Sequence, residues 1–211
     1  MEKNNLFITF EGGEGTGKST VLPLVCKKLQ KDFPDKEFFS SREPGGNSLD
    51  FSEKIRKLIF ESDNIDSLTE TFLFQASRRE HVVKVLSPAL EAGKIVLCDR
   101  YTDSSLIYQG FVRGNKIEII ETLNQIATGG LIPQLTFIFD LDPVIGQKRI
   151  ENCDVHRKNH FDNEKIIFHQ KIQKAYLNLA KTNSTRYQVI DASKPINQIV
   201  EEIASIIKKN I

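Results

Sequence analysis

Eight residues near the start of the chain, Gly12-Gly13-Glu14-Gly15-Thr16-Gly17-Lys18-Ser19, fit the pattern G-x-x-x-x-G-K-[ST]. The pattern carries structural meaning only where a strand runs into it and a helix leaves it. Both flanks are present. Leu6 to Glu11 reads as a buried strand, and Val21, Leu22, Leu24, Val25 and Leu29 mark a helical stripe over Ser19 to Phe33. In such a loop, glycines let successive backbone N–H groups turn inward as an anion nest, and the following helix adds its free donors and the positive end of its dipole. The lysine reaches β- and γ-phosphates, and the hydroxyl after it reaches Mg²⁺. The loop therefore predicts a nucleoside triphosphate site built from Gly12, Gly13, Glu14, Gly15, Thr16, Gly17, Lys18, Ser19 and Thr20. It leaves a GTPase, an ATP-driven machine and a small-molecule kinase all open.

The rest of the chain alternates short apolar runs with longer amphipathic ones. Strands are predicted at Glu37 to Ser40, Lys94 to Asp99, Leu135 to Asp140 and Gln188 to Asp191. Helices are predicted at Ser48 to Phe60, Leu68 to Leu86, Ser104 to Gln109, Ile117 to Ala127, Val144 to Glu151, Glu164 to Ala180 and Ile196 to Lys208. Ser87-Pro88 reads as an N-cap with Pro at N1, restarting a helix that ends before Gly93. Pro23 falls inside the first helix, where it removes a donor and should perturb the first turns. Strand–helix alternation implies right-handed crossovers and a parallel sheet covered on both faces. The expected fold is therefore α/β, a P-loop NTPase fold with a parallel sheet of about five strands, as one domain over residues 1–211. Residues after Phe10, Ser40 and Cys98 should share one crevice at the carboxyl ends of the strands.

Charge and composition exclude several classes. Lys and Arg total 29 against 28 Asp and Glu, which argues against a broad basic face for nucleic acid. No run approaches the roughly 20 apolar residues that span a bilayer, and the polar start, Met1 to Asn5, predicts no signal peptide. Cys26, Cys98 and Cys153 are odd in number and widely spaced, the pattern of idle thiols in a reducing cytoplasm. His81, His156, His160 and His169 lack metal-ligand spacing and read as solvated or core histidines. Asn115-Lys116-Ile117-Glu118 imitates a guanine-reading N-K-x-D, but it ends in Glu and opens a helix, so it is set aside.

Three further segments are aimed at the crevice: Ser41-Arg42-Glu43-Pro44-Gly45-Gly46, the helical Phe72 to Arg79, and Asp99-Arg100-Tyr101-Thr102-Asp103-Ser104-Ser105-Leu106-Ile107-Tyr108-Gln109-Gly110. With the P-loop they resemble the thymidylate kinases, whose R-E-P-G-G, F-x-x-x-R and D-R-Y-x-x-S-S-x-x-Y-Q-G motifs all occur here in order. The resemblance extends through Phe139 to Pro143, Phe168-His169-Gln170 with Tyr176, and Asp191-Ala192-Ser193, nearly the whole chain.

The resemblance implies the reaction ATP + dTMP → ADP + dTDP, with Mg²⁺ and with Lys18, Asp99, Arg100, Arg149 and Arg157 as the catalytic set. It implies that Arg42 and Arg100 hold the dTMP phosphate, that Phe74 stacks on thymine and that Arg78 bonds a thymine carbonyl. It places Ser104, Ser105 and Gln109 beside the base, Pro44 in the turn that aims Arg42, Tyr108 against the sugar where a 2′-OH would clash, and Glu14 near the 3′-OH. It assigns Ser19 to the metal, Asp99 either to a metal-bound water or to orienting Arg100, and Arg149 to the adenine and phosphates. Each also has a plain structural reading: Phe74 as core, Arg78 as a surface residue in an i,i+4 pair, Ser104 and Ser105 as helix caps, Asp99 and Arg100 as an ion pair.

The P-loop carries no arginine, so the resemblance implies a cation from a mobile lid around 150–161, supplied by Arg157, Arg149 or Lys158. Lid-type members usually place Asp-Arg ahead of an aromatic or aliphatic residue and an acid; this chain has Asn159-His160-Phe161-Asp162, so the arginine has moved. Family members are usually homodimers, which gives dTMP, ATP and a second copy as the expected partners.

Overall fold

A computed structural model describes residues 6–46, 49–62, 64–152, 161 and 164–211. Five strands, β1 (Phe7–Gly12), β2 (Phe38–Arg42), β3 (Ile95–Asp99), β4 (Leu135–Asp140) and β5 (Tyr187–Asp191), form one sheet in the order β2-β3-β1-β4-β5. Every pairing is parallel, so all five carboxyl ends lie along one edge. The helices are α1 (Lys18–Asp32), α2 (Asp50–Glu61), α3 (Ser67–His81), α4 (Ser87–Glu91), α5 (Thr102–Ser105), α6 (Ile117–Thr128), α7 (Pro143–Glu151), α8 (Ile166–Ala180) and α9 (Ile196–Lys208).

The two-residue period of β1 sorts the core. Ile8 and Phe10 point to one face, where α1 contributes Val21, Val25 and Leu29 and α9 contributes Ile199, Ile203 and Ile207. Phe7, Thr9 and Glu11 point to the other. There Phe7 meets Val82, Leu86 and Tyr101, and Thr9 shares a 2.8 Å hydroxyl contact with Thr136 of β4. Next to it, Ile138 packs with Ile107, Tyr108, Ile172 and Tyr176. Phe137, fully buried at the centre of the sheet, would cost about 3–5 kcal/mol if cut to alanine.

The expected elements all occur, with shifted ends. β2 runs on to Arg42 because Ser41 and Arg42 still pair with Cys98 and Asp99, so Arg42 ends the strand instead of following it. α7 begins at Pro143, capped by Asp142 Oδ1 accepting from Val144 N at 2.8 Å. Gly129 stops α6 in the left-handed conformation, a common helix C-cap.

Two helical expectations are corrected. Ser87 is not an N-cap: its φ and ψ are helical and its N–H bonds Val82 O, five residues back. A π-helical stretch, Val82–Leu86, joins α3 to α4 as one continuous rod. The wider turn accommodates Pro88, which has no N–H to give to the residue four back. A second π-helical stretch, Leu106–Val112, extends α5. α5 begins at Thr102, which puts Ser104 and Ser105 inside the helix and not at its cap. α1 runs unbroken across Pro23, and nothing in the structure explains that residue.

Candidate active site

The P-loop leaves β1 at Gly12 and enters α1 at Lys18. Gly12, Gly15 and Gly17 all have positive φ, which L side chains rarely adopt. Gly15 (φ 68°) also lies against the backbone of Gly146 in α7, where any Cβ would overlap the carbonyl oxygen. Lys18 folds back over the loop: Nζ donates to Gly12 O (2.9 Å), Gly13 O (2.7 Å) and Thr16 Oγ1 (3.0 Å). Burial and the nearby Arg100 lower its pKa to about 8, against the pull of Asp99, Glu14 and Glu11. Ser19 and Thr20 stand exposed in the first turn of the helix.

On the adjoining strands, a cleft of about 620 Å³ is lined by Glu14, Glu43, Pro44, Arg56, Phe60, Phe74, Arg78, Arg100, Ser104, Ser105, Tyr108, Gln109 and Phe161, among others. Sequence-predicted residues from the P-loop, β2, α3 and the segment after β3 are thereby brought together. Glu14 joins the cleft to the P-loop. Its Oε1 accepts from Arg100 Nη2 at 3.0 Å and from Tyr108 O–H at 2.6 Å. His169 Nδ1 lies 3.4 Å from Oε2, a distance for charge attraction more than for a short hydrogen bond. Burial acts to raise the Glu14 pKa, but His169, Arg100, Tyr108 and Lys18 outweigh it and hold it at about 2.

Arg100 has φ 69°, unusual for a side-chain-bearing residue. Its guanidinium lies over the Tyr108 ring and donates to Glu14 and to Ser104 Oγ (3.2 Å). It does not pair with Asp99, whose Oδ1 is buried with no hydrogen-bond partner among the described residues. The ion-pair reading of Asp99 and Arg100 is therefore replaced by an Arg100–Glu14 pair.

Arg78 is not a surface residue but is 2% exposed. Its Nε donates to Glu43 Oε2 at 2.7 Å, Nη1 is shared among Gln75, Ser105 and Asn124, and Nη2 donates to Tyr101 O at 2.9 Å. An arginine has five N–H bonds. These partners engage all but one of them, the second Nη2 hydrogen. Glu43 is fixed in turn by His81 Nδ1 at 3.0 Å, and His81 Nε2 lies 2.6 Å from Ser41 Oγ, so His81 is a satisfied core histidine. Gln109 donates to Glu70 Oε1 at 2.9 Å.

Arg42 is placed differently from the expectation. It is engaged by Glu53 Oε1 at 2.8 Å and by Pro44 O at 3.1 Å, and it does not line the cleft. Arg56 of α2 lines it instead, donating to Pro44 O at 2.9 Å, with its guanidinium over Phe60. Burial together with the positive charges of Arg42 and Arg100 lowers the Arg56 pKa to about 10, so Arg56 and Arg100 meet in the cleft with the Arg42 charge close enough to be felt. Arg149 reaches across the P-loop: its Nη1 is 3.4 Å from Gly15 O and its Nη2 3.2 Å from Ala192 O. Arg157, Lys158, His156, His160 and Cys153 lie outside the described residues.

Sequence reasoning missed Glu11, Arg56, Phe60, Phe161, His169 and Tyr176 as site residues. Of its two readings, solvated or core, His169 takes the core one, buried beside Glu14. Glu11 gave one signal, a carboxylate on an otherwise apolar strand. Arg56 gave none, since one more arginine on an amphipathic helix looks like solvated surface. Asn115, the false guanine reader, is tied down by Ser67 Oγ and Gln109 O at 2.8 Å each.

The comparisons with known proteins agree with this geometry. A family model described as thymidylate kinase matches residues 10–203. Proteins named thymidylate kinase from Bacillus licheniformis (43% identical over 208 residues, 98% of this chain and 96% of the relative) and Staphylococcus haemolyticus (45% over 201 residues, 95% and 96%) are similar over nearly their full lengths. The crystal structure of a thymidylate kinase from Ehrlichia chaffeensis superposes with a TM-score of 0.76 at 32% identity, covering 96% of this chain and 98% of that one. A P-loop at the head of a five-stranded parallel sheet, a second arginine-lined cleft beside it and these full-length similarities converge: the chain belongs to the thymidylate kinase family.

Proposed function

We propose that the P-loop and the adjoining cleft are the donor and acceptor halves of one site. As a member of its family the chain catalyses ATP + dTMP → ADP + dTDP. The observation that carries the site reading is the 3.0 Å bond between Arg100 Nη2 and Glu14 Oε1, which sets the acceptor arginine against the donor loop. The acceptor phosphate, with a second pKa of about 6, is mostly dianionic at neutral pH and needs no general base. What it needs is screening and alignment, because two polyanions must meet in line.

On this reading Lys18 and the P-loop N–H groups hold the triphosphate. Arg100, with Arg56 beside it, holds the acceptor phosphate by guanidinium forks. Arg42 acts from one step back through Pro44, which both it and Arg56 contact. Phe74 supplies a stacking face, Arg78 its remaining N–H and Ser105 and Gln109 the polar wall for thymine. Tyr108, fixed by Glu14, fills the space a 2′-OH would need. Arg149 of α7, bonded to Ala192 O, flanks the adenine and phosphates.

The metal fits. Asp99 Oδ1 is a buried carboxylate oxygen with no partner among the described residues, and Ser19 stands exposed in the first turn of α1. These two would hold Mg²⁺, which when bound neutralises charge on the β- and γ-phosphates. The stretch around 150–161 is the proposed lid, with Arg157 as its transition-state cation; residues 153–160 lie outside the described residues. A homodimer is the proposed assembly, since α3 and α6 pack together and leave Phe72, Ile119 and Ile126 exposed. The cytoplasm is the proposed location. Among the described residues no helix is long and apolar enough to cross a membrane.

ADP release measured with dTMP, dUMP, dCMP, dGMP and dAMP tests the reading. dTMP should be the preferred acceptor, and Arg100→Ala should raise its KM by at least tenfold. Nucleotide hydrolysis unaffected by dTMP, with tight guanine preference, would replace the kinase by a GTPase switch.

A further inference from the structure

Glu11 is the last side chain of β1 before the glycines of the P-loop, and it is fully buried. Three donors converge on its carboxylate: Tyr101 N–H on Oε1 at 2.7 Å, and Ser104 Oγ–H (2.7 Å) and Tyr176 O–H (2.8 Å) on Oε2. Two of the three belong to the segment that carries Arg100. Burial, with the neighbouring carboxylate of Asp103, raises the Glu11 pKa to about 7. A side chain that unfavourable in this place needs a reason, and thymine, sugar and nucleotide contacts do not supply one.

The local chemistry does. Arg100 is held in a left-handed backbone conformation that a non-glycine residue resists. Its own N–H bonds Phe10 O at 2.9 Å, and the next N–H, that of Tyr101, bonds Glu11. The peptides on both sides of the Arg100 Cα are thus pinned to the end of β1. The side chain is set by the same carboxylate. Ser104 has one hydroxyl hydrogen and gives it to Glu11, which leaves its lone pairs facing Arg100 Nη1 at 3.2 Å. Donors therefore run in one direction, from Arg100 to Ser104 to Glu11, and the negative end of that chain fixes its direction.

We infer that Glu11 is a positioning residue for the acceptor phosphate: it ties the Arg100 segment to the strand that carries the P-loop and orients the guanidinium through Ser104. The inference rests on the reading of Arg100 as the acceptor-phosphate ligand. A carboxylate that merely stabilised the strand end would behave differently, because the strand leads straight into the donor loop and its loss would weaken ATP at least as much as dTMP.

Steady-state kinetics of Glu11→Gln, Ser104→Ala and the double variant separate these. Glu11→Gln should raise the dTMP KM tenfold or more and leave the ATP KM within twofold. Ser104→Ala, which keeps the carboxylate and removes the link, should raise the dTMP KM at least threefold. The double variant should be no worse than Glu11→Gln within twofold, as for two parts of one chain. Equal shifts in both KM values, a Glu11→Gln enzyme like the wild type, or additive losses in the double variant would overturn the inference. Should Glu11→Gln fail to fold, as read by its thermal midpoint, an unchanged dTMP KM in Ser104→Ala overturns it alone. An Arg100→Ala enzyme with an unchanged dTMP KM would instead bring down the reading of Arg100 itself.

Discussion

Arg78 Nε donates to Glu43 Oε2 at 2.7 Å where neither side chain reaches water, at 2% and 4% side-chain exposure. Removing one member of such a pair strands the other charge without solvent. Glu43→Ala should therefore destabilise the protein by about 3–5 kcal/mol, read as a lower urea midpoint. It should also raise the dTMP KM, because Glu43 fixes the guanidinium of Arg78, a residue of the cleft wall.

Gly15 has no room for a side chain against Gly146 and sits at φ 68°. Gly15→Ala must displace the loop or α7. We expect the ATP KM to rise by about tenfold or more, while dTMP binding to the nucleotide-free protein, by calorimetry, stays within about twofold.

The Lys18 pKa, lowered to about 8 by burial and Arg100, predicts a pH dependence of donor capture. The useful form is the cation, which is lost as pH rises through 8. The kcat/KM for ATP, which reports the free enzyme, should fall above about pH 8. A profile flat to pH 10 would contradict the burial-lowered lysine.

Glu11 makes a prediction about stability of opposite character. Its folded-state pKa is raised, so the folded state binds more protons than the unfolded state from about 4.5 up to about 7. Its contribution to stability is present in acid and is lost as pH rises through that window. Glu11→Gln removes the titration, so its thermal midpoint minus that of the wild type should become more positive between pH 5 and 8. A difference independent of pH would contradict it.

Arg149 and Arg157 are the two arginines proposed for the transferring phosphoryl. Arg149 is already held by Gly15 O and Ala192 O, a place for binding nucleotide, so Arg149→Ala should act mainly on the ATP KM. Arg157→Ala should lower kcat by on the order of 10³ if that residue stabilises the transition state. A loss under tenfold would hand the role to Arg149.

The strand–loop–helix of the P-loop and the α/β alternation were legible because each is a local pattern: glycines at fixed spacing, and a hydrophobic period that switches from two to three or four. Arg100, Tyr108 and Arg78 were legible through motif order. Ser87 misled because Ser-Pro looks like a helix start, while the chain absorbs the proline with a π-helical turn that packing against Phe7 and Tyr101 stabilises. Arg42 was legible as an arginine at the right strand end, but its partner Glu53 is eleven residues away on another element. Glu11 and His169 were illegible as site residues for the same reason. What makes each functional is a partner brought in from far along the chain: Tyr176 for Glu11, Glu14 for His169.

The close approach of Gly15 and Gly146 has a mechanical corollary. With carbonyl and α-carbon in direct apposition and no side chain between them, α7 has no compliant layer separating it from the phosphate loop. A shift of that helix is felt at once by the amides of the loop, so the position of α7 and the shape of the proposed phosphate cradle are geared together by two absent methyl groups.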